Sequence, residues 1–299
     1  MKSILKKISK DVFLRRTIGN RKSESTFISR KVDFFIFISH YNNEGGEKMK
    51  YYVITDIHGF YDEMIETLRE KGYFSDKEPH KLIICGDLLD RGPDTDNLQS
   101  FVVNLLRSND LIFIKGNHED LIEELVCTVE AGVPITSVGA YHWHNGTINT
   151  AMQASKMSFE EIIVSPEKFV KRMKATPFLS QIIPSSVDFF ETDNYVFVHG
   201  WIPVARSFEK NKPIKNWRKA EPADWKQARW ANGIRMAKDG LIVKNKTVVC
   251  GHVYCGYARC EDHDSVNYQD YSPYYGDGII ALDSAVAVTR KLNCIIIED

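Results

Sequence analysis

Five short polar runs each follow an apolar run, and they hold the side chains that could do chemistry. Asp56 and His58 stand in "DIHG", after "YYVIT" (51–55). Asp87, Asp90 and Arg91 stand in "GDLLDRG", after "KLIIC" (81–85), and Asn117, His118 and Glu119 stand in "GNHED", after "LIFIK". His199 follows "NYVFV" (194–198), and His252 follows "TVVC" (247–250) with Gly251 between. Carboxylate, amide and imidazole donors without thiolate suit Mn, Fe or Zn ions in a catalytic site rather than a structural cysteine site. Asp56, His58, Asp87, Asn117, His199 and His252 are too many ligands for one open catalytic ion. They suit two ions that share a carboxylate. Singly, each run has a plain explanation: Asp56 could cap a helix, and a lone His199 or His252 is more often a hydrogen-bonded structural histidine. The ordered set of five, each at a strand end, carries the reading.

The elements that must position these residues follow from the apolar pattern. "YYVIT", "KLIIC" and "LIFIK" are continuous apolar and β-branched runs, as strands buried on both faces require. Between them, 60–71 places Met64, Ile65 and Leu68 on one helical face, and 94–107 does so with Leu98, Phe101, Val102, Leu105 and Leu106. A third helix is expected over 118–131. Strand–helix alternation implies parallel βαβ units with right-handed crossovers. Ligands then gather outside the carboxyl ends of the strands. Short helices are expected over 140–190. Further strands are expected at 194–198, 247–250 and 278–282, and near "VAVT" and "CIII", which makes the second half more purely β. Residues 255–277 read as a polar, Tyr-rich loop. The expected fold is α/β, a two-sheet β-sandwich flanked by helices.

Composition sets the outer bounds. The chain has 299 residues, 26% charged and 43% hydrophobic, ordinary for a globular domain with a large core. Residues 1–48 carry a net charge of +6, which leaves −7 on residues 49–299. An acidic body argues against a broad nucleic-acid surface. The six cysteines form no C-x-x-C pair and read as reduced thiols of a cytoplasmic protein. The stretch "FFIFIS" is too short to span a bilayer, and no membrane partner is expected. Glu44-Gly45-Gly46 precedes Met49, and such codons read as a ribosome-binding sequence. Residues 1–48 are therefore expected to be a disordered or non-native extension, and 49–299 the catalytic domain.

With D-x-H-G, G-D-x-x-D-R-G, G-N-H-E and the later "VHG" and "GH" in place, the chain resembles the phosphoprotein phosphatases, within the calcineurin-like metallophosphoesterases. The likeness covers about 51–290 and is strongest to the small bacterial and bacteriophage enzymes. It implies one divalent ion, manganese by preference, on Asp56, His58 and Asp87, and a second on Asp87, Asn117, His199 and His252. It implies a metal-bridging hydroxide as nucleophile, His118 as general acid oriented by Asp90, and Arg91 gripping the phosphoryl group. Asn117 would also touch the substrate. Relatives carry a second phosphate-binding arginine just after a Trp. Here "ARWANGIR" departs from that pattern, leaving Arg229 and Arg235 as candidates, Arg229 first. The implied function is a serine/threonine protein phosphatase acting on a phosphoprotein or small phosphorylated substrate. The alternative is a symmetric bis(5'-nucleosyl)-tetraphosphatase-like enzyme, and a non-catalytic metal-binding scaffold stands third. His142, His144 and the acidic run around His263 are weaker candidates, better explained by packing and solvation.

Overall fold

Strand β1 (Lys50–Ile54) opens the described chain, followed by helix α1 (Tyr61–Glu70), β2 (His80–Cys85), α2 (Thr95–Ser108), β3 (Leu111–Ile114) and α3 (Asn117–Glu130). The computed structural model describes residues 48–205, 212–262 and 269–299, with the backbone alone over 260–262. The expectations for residues 1–47, for Cys260 and for His263 lie outside the described residues. Helix α2 starts where Asp94 accepts from the Asn97 amide at 3.0 Å, and ends where Asn109 turns left-handed at φ 61°.

Five short helices fill the middle, as expected: α4 (Ala140–His144), α5 (Thr147–Ser155), α6 (Phe159–Val164), α7 (Pro166–Ala175) and α8 (Ile183–Ser185). Then come β4 (Phe190–Glu191), β5 (Tyr195–Phe197), β6 (Val204–Ala205) and β7 (Lys212–Pro213). The rest is α9 (Pro222–Arg229), α10 (Gly233–Lys238), β8 (Thr247–Cys250), α11 (Cys255–Asp262), β9 (Tyr274–Gly276), β10 (Ile279–Ala281), α12 (Val286–Thr289) and β11 (Ile295–Glu298).

The strands form two main sheets, ordered β11-β1-β2-β3 and β4-β5-β8-β10-β9, with β6 and β7 as a separate ribbon. Strands β1, β2 and β3 are parallel, as are β5, β8 and β10, and the remaining neighbours pair antiparallel at the edges. Side-chain alternation divides each strand between two cores. Tyr51, Val53, Ile83 and Cys85 face Phe197, Val249 and Leu282 between the sheets. Tyr52, Ile54, Leu82 and Ile84 face outward, under α1, α2 and α3. Val196, Val248, Cys250 and Ile279 pack on the other side with Trp201, Trp217 and Trp225. This is the expected sandwich of two sheets flanked by helices.

Three expectations need correction. "VAVT" is helix α12 rather than a strand, because Ala285 and Arg290 take left-handed backbone (φ 53° and 56°) on either side and close a single helical turn. The presumed loop 255–277 begins as helix α11 and ends in β9. The second half is also less purely β than expected, since α9 to α12 lie in it. No helix of the described residues is long and apolar enough to cross a membrane. The five described cysteines are unpaired thiols.

Candidate metal centre

Five parallel strands end on one side of the two sheets, and each releases a polar turn there. Their turns interlock through the backbone. The Asp56 amide donates to the Gly86 carbonyl (3.1 Å), that of His58 to Asp87 (2.9 Å), that of Gly92 to His58 (2.7 Å) and that of Gly251 to His199 (2.8 Å). Six non-glycine residues in these turns have left-handed backbone: Asp56, His58, Asp87, Asp90, Arg91 and His252, with φ from 50° to 75°. Each such residue costs of order 1–3 kcal/mol, and strain of this kind concentrates at functional sites. Small residues let the turns close. A Cβ on Gly251 would stand 2.0 Å from Asp56 Oδ2, and one on Gly116 would stand 2.3 Å from Asp87 Oδ1.

Asp87 is the hub. His199 Nε2 lies 3.3 Å from its Oδ1, and His58 Nε2 and His118 Nε2 each lie 3.8 Å from its Oδ2. Two triads able to hold a cation therefore share it: His58, Asp87 and His118, and Asp87, His199 and His252. Asn117 Oδ1 joins the second at 2.8 Å from His199 Nε2. Asp56 sits beside them without entering either triad. Its oxygens accept from the His252 amide (3.0 and 3.2 Å), and the Thr55 hydroxyl stands 2.6 Å from Oδ2. All these side chains are buried except His252, which is half-buried.

Whether the residues fit a cation can be read from the ring nitrogens. His199 Nδ1 faces the Cys85 carbonyl at 2.8 Å, and a carbonyl only accepts, so that nitrogen carries a proton. His199 Nε2 then meets two further acceptors, Asn117 Oδ1 and Asp87 Oδ1. A second proton or a metal ion must stand between them. His58 Nδ1 likewise donates to the Leu89 carbonyl at 3.1 Å, leaving the Nε2 lone pair aimed at the hub. This is the ring tautomer a metal ligand needs. The residues fit.

The electrostatics agree. Burial opposes charge on Asp87, but His199, His118 and His58 outweigh it and hold its carboxyl well below the usual range. Burial lifts Asp56 to about 6, with Asp87 repelling it and His199 partly compensating. Burial disfavours a charged His199, yet Asp87 and Asp56 raise it to about 10. Burial and the His199 charge lower His252 to about 4.

His118 Nδ1 is 2.7 Å from Asp90 Oδ2, and Arg91 Nη2 is 3.0 Å from His118 Nε2. Burial pulls the His118 ring down, but Asp87 and the Asp90 hydrogen bond raise it above the ordinary imidazole value. Arg91 Nη1 also reaches His58 Nε2 at 2.6 Å, so its fork spans the two rings. Arg229 goes elsewhere. Its Nε and Nη2 bind Asp120 at 2.7 and 3.1 Å, and its Nη1 binds Asp188 at 2.6 Å. Arg229, the first candidate for a second phosphate-binding arginine, thus has its planar fork engaged by Asp120 in this structure. Arg235 is largely exposed and lies 3.6 Å from Asp239.

Two contributors, Thr147 and Trp230, lie outside the motifs, and a third, Glu119, lies inside one in a role not assigned to it. Thr147 Oγ1 donates to Asp90 Oδ2 at 2.9 Å from 57 residues away. Glu119 collects the amides of Asp87 (2.9 Å), Leu88 (2.9 Å) and Gly116 (2.7 Å), which clamps the second and third turns together. Trp230, 45% exposed, stands edge-on to His252 at 5.8 Å. Glu119 was visible in "GNHE", where its spacing from Gly116 is that of a capping pair. Thr147 and Trp230 had no such signal. His142 is buried in α4 and His144 is exposed, neither in the cluster.

A fold of this kind, with buried triads sharing one aspartate at the strand ends, defines a metallophosphoesterase. Residues 49–281 match the calcineurin-like phosphoesterase family, and the chain belongs to it. Among curated proteins, it is 28% identical over 135 residues to the asymmetrical bis(5'-nucleosyl)-tetraphosphatase PrpE of Bacillus subtilis strain 168, covering 43% of this chain and 51% of that protein. It is 39% identical over 71 residues to the symmetrical bis(5'-nucleosyl)-tetraphosphatase of Buchnera aphidicola, covering 24% of each. The chain spans about half, or less, of the length of such relatives. A solved structure, a cold-active protein-tyrosine phosphatase of a psychrophilic Shewanella species, aligns at 16% identity and TM-score 0.47, over 85% of this chain and 76% of that one.

Proposed function

We propose that the chain hydrolyses phosphoric esters or anhydrides with two divalent ions, one held by Asp56, His58 and Asp87 and the other by Asp87, Asn117, His199 and His252. The single observation that carries this is that two clusters able to hold a cation meet at Asp87; Asp56 lies beside them, Asn117 touches the second, and His118, which shares the first, is assigned to proton transfer because Asp90 holds its Nδ1. When bound, two such ions supply a water-derived nucleophile at neutral pH and polarise the phosphoryl oxygens. The chain's own side chains do the rest. Arg91 orients the phosphoryl group through its planar fork, which a lysine could not imitate. His118, its Nδ1 fixed by Asp90, would pass a proton from Nε2 to the leaving oxygen once the phosphoryl group draws Arg91 off that nitrogen. Asp90 is fully buried, which keeps that pair dry.

Two substrate classes compete, phosphoserine or phosphothreonine in proteins and a dinucleoside tetraphosphate. Arg229 pairs with Asp120 and Arg235 is the other candidate for a second arginine, so neither chooses between the two classes. The names of the curated relatives favour the dinucleotide. We therefore put the dinucleotide first. The test strips the full chain of metal, reloads it with Mn²⁺, and compares turnover of diadenosine tetraphosphate and a phosphoserine peptide, with Asp87→Asn as blank. Faster dinucleotide turnover is the expected result. Faster peptide turnover would restore the protein-phosphatase reading. No turnover of either with metal bound would leave only the scaffold.

A further inference from the structure

We propose that the cavity beside Arg91 is a subsite for an oligophosphate chain, taking the phosphoryl groups beyond the one attacked. The inference rests on the reading that hydrolysis occurs at the Asp87 cluster. The cavity has a volume of about 480 Å³ and is lined chiefly by Phe60, Arg91, Asn149, Met152, Gln153 and Arg290. It adjoins the cluster directly, because Arg91 touches both His58 and His118. A second cavity of about 430 Å³ shares Pro93, Met152 and Gln153 with it, but Asp94 and Asp96 line that one and Lys156 pairs with Asp96, so the donor-lined space ends near Gln153.

The charged side chains that line this cavity are both cationic, and the carboxylate paired with Arg290, Glu63, stands outside the lining. The lining offers two guanidiniums and two amides and no carboxylate. That is the donor set a polyanion needs, since phosphate oxygens accept and every one of these groups donates. A phosphoseryl peptide would bring mainly neutral backbone into the same space.

Arg290 is placed rather than loose. Its backbone is left-handed at φ 56°, closing α12. Its guanidinium lies 4.5 Å over the Phe60 ring, and its Nη2 is 2.5 Å from Glu63 Oε1. Phe60 follows Gly59 of "DIHG" directly, so the same turn that carries His58 also seats Arg290. Asn149 and Gln153 are four residues apart on α5 and therefore share a face. Gln153 Nε2 is tied to the Gly92 carbonyl at 3.2 Å, which fixes that face against the second motif. The helix that steadies Asp90 through Thr147 thus also walls this cavity.

Two variants of the full chain test the idea, Arg290→Gln and Asn149→Asp, the second adding a negative charge to the lining. The first readout is calorimetric binding of inorganic tripolyphosphate to metal-free protein. The second is the ratio of kcat/KM for tripolyphosphate to that for p-nitrophenyl phosphate, with Mn²⁺. Arg290→Gln is expected to weaken binding and lower the ratio by about tenfold, the size of one charge-assisted hydrogen bond. Asn149→Asp is expected to lower both as well. Unchanged binding and an unchanged ratio in both variants would overturn the subsite and leave the hydrolase standing. If the wild type turned over neither substrate with metal bound while tripolyphosphate binding still fell in Arg290→Gln, the hydrolase reading would fail and the anion site would stand. A phosphopeptide with acidic neighbours that suffered as much from Arg290→Gln as tripolyphosphate would assign the cavity to peptide side chains, against the proposal.

Discussion

Asp90 depends on a neighbour that no motif contains. Its Oδ2 accepts from His118 Nδ1 and Thr147 Oγ1, and it is fully buried. Removing the Thr147 hydroxyl as Thr147→Val keeps the shape and frees the carboxylate to turn. We expect kcat on unactivated esters to fall about tenfold, the range typical of lost orienting partners, with KM little changed. A rise in KM at constant kcat would instead place Thr147 in substrate binding. His118→Asn should retain both metals by elemental analysis and lose roughly 10²–10⁴ in turnover where the leaving group is poor. Equal losses on activated aryl phosphates would refute the acid role. Asp90 and Arg91 were conspicuous in the sequence because charges directly follow an apolar run. Thr147 was silent, since a threonine at a helix start has many ordinary reasons to be there. Arg229 was conspicuous for a different reason. An arginine beside a tryptophan matched the chemistry sought, and only the fold brings Asp120 to it.

Elements explain why so much of the site could be read and where the reading stopped. The buried parallel strands show as unbroken apolar runs, and their carboxyl ends fix where polar residues must meet. Short elements gave no such signal. "VAVT" has strand composition, and it coils because its flanking residues turn left-handed. Helix α11 contains a glycine and charged residues in "CGYARCED", which hid its period. The turns between elements carry their own prediction. Gly251→Ala would push a Cβ to 2.0 Å from Asp56 Oδ2 and 2.1 Å from Thr55 Oγ1. A forced shift of that kind costs roughly 1–3 kcal/mol, and it should lower both Tm and bound metal. Normal metal content in Gly251→Ala would show that Asp56 can move without consequence. A second prediction concerns pH. The Tyr52 hydroxyl (2.6 Å), the Glu78 amide (3.1 Å) and Lys50 (3.0 Å) hold Asp76 below the ordinary carboxylate value of 3.8, Tyr52 contributing most. A depressed folded pKa stabilises fully above about pH 4 and loses that contribution as pH falls through the folded value. Asp76→Asn should therefore unfold in less urea at pH 7 but match the wild type more closely near pH 2. A constant gap between the two at both pH values would contradict this linkage.

At the scale of the whole molecule, the candidate ligands come from both sheets. Asp56, His58, Asp87 and Asn117 follow β1, β2 and β3, while His199 and His252 follow β5 and β8. The sheets already share the core of Tyr51, Val53, Ile83, Phe197 and Val249. Cations at Asp87 would add a second tie across their ends, and one that exists only in the folded chain, because the ligands span residues 56 to 252. Binding to the native state alone stabilises by about 2.7 kcal/mol for each site whose free metal stands at a hundredfold its Kd. For a domain near 250 residues, each kcal/mol moves Tm by roughly 2–4 °C. Chelation of the Mn²⁺-loaded chain should therefore lower Tm by at least about 5 °C, and readdition of Mn²⁺ should restore it. Asp87→Asn removes the shared carboxylate, so its melting should respond little to either treatment. The variant also relieves a buried negative charge, and its metal-free Tm is the proper baseline for the comparison. If chelation left the wild-type Tm unmoved while elemental analysis showed the metal gone, the ions would not couple the two sheets, and the sandwich core alone would account for their association.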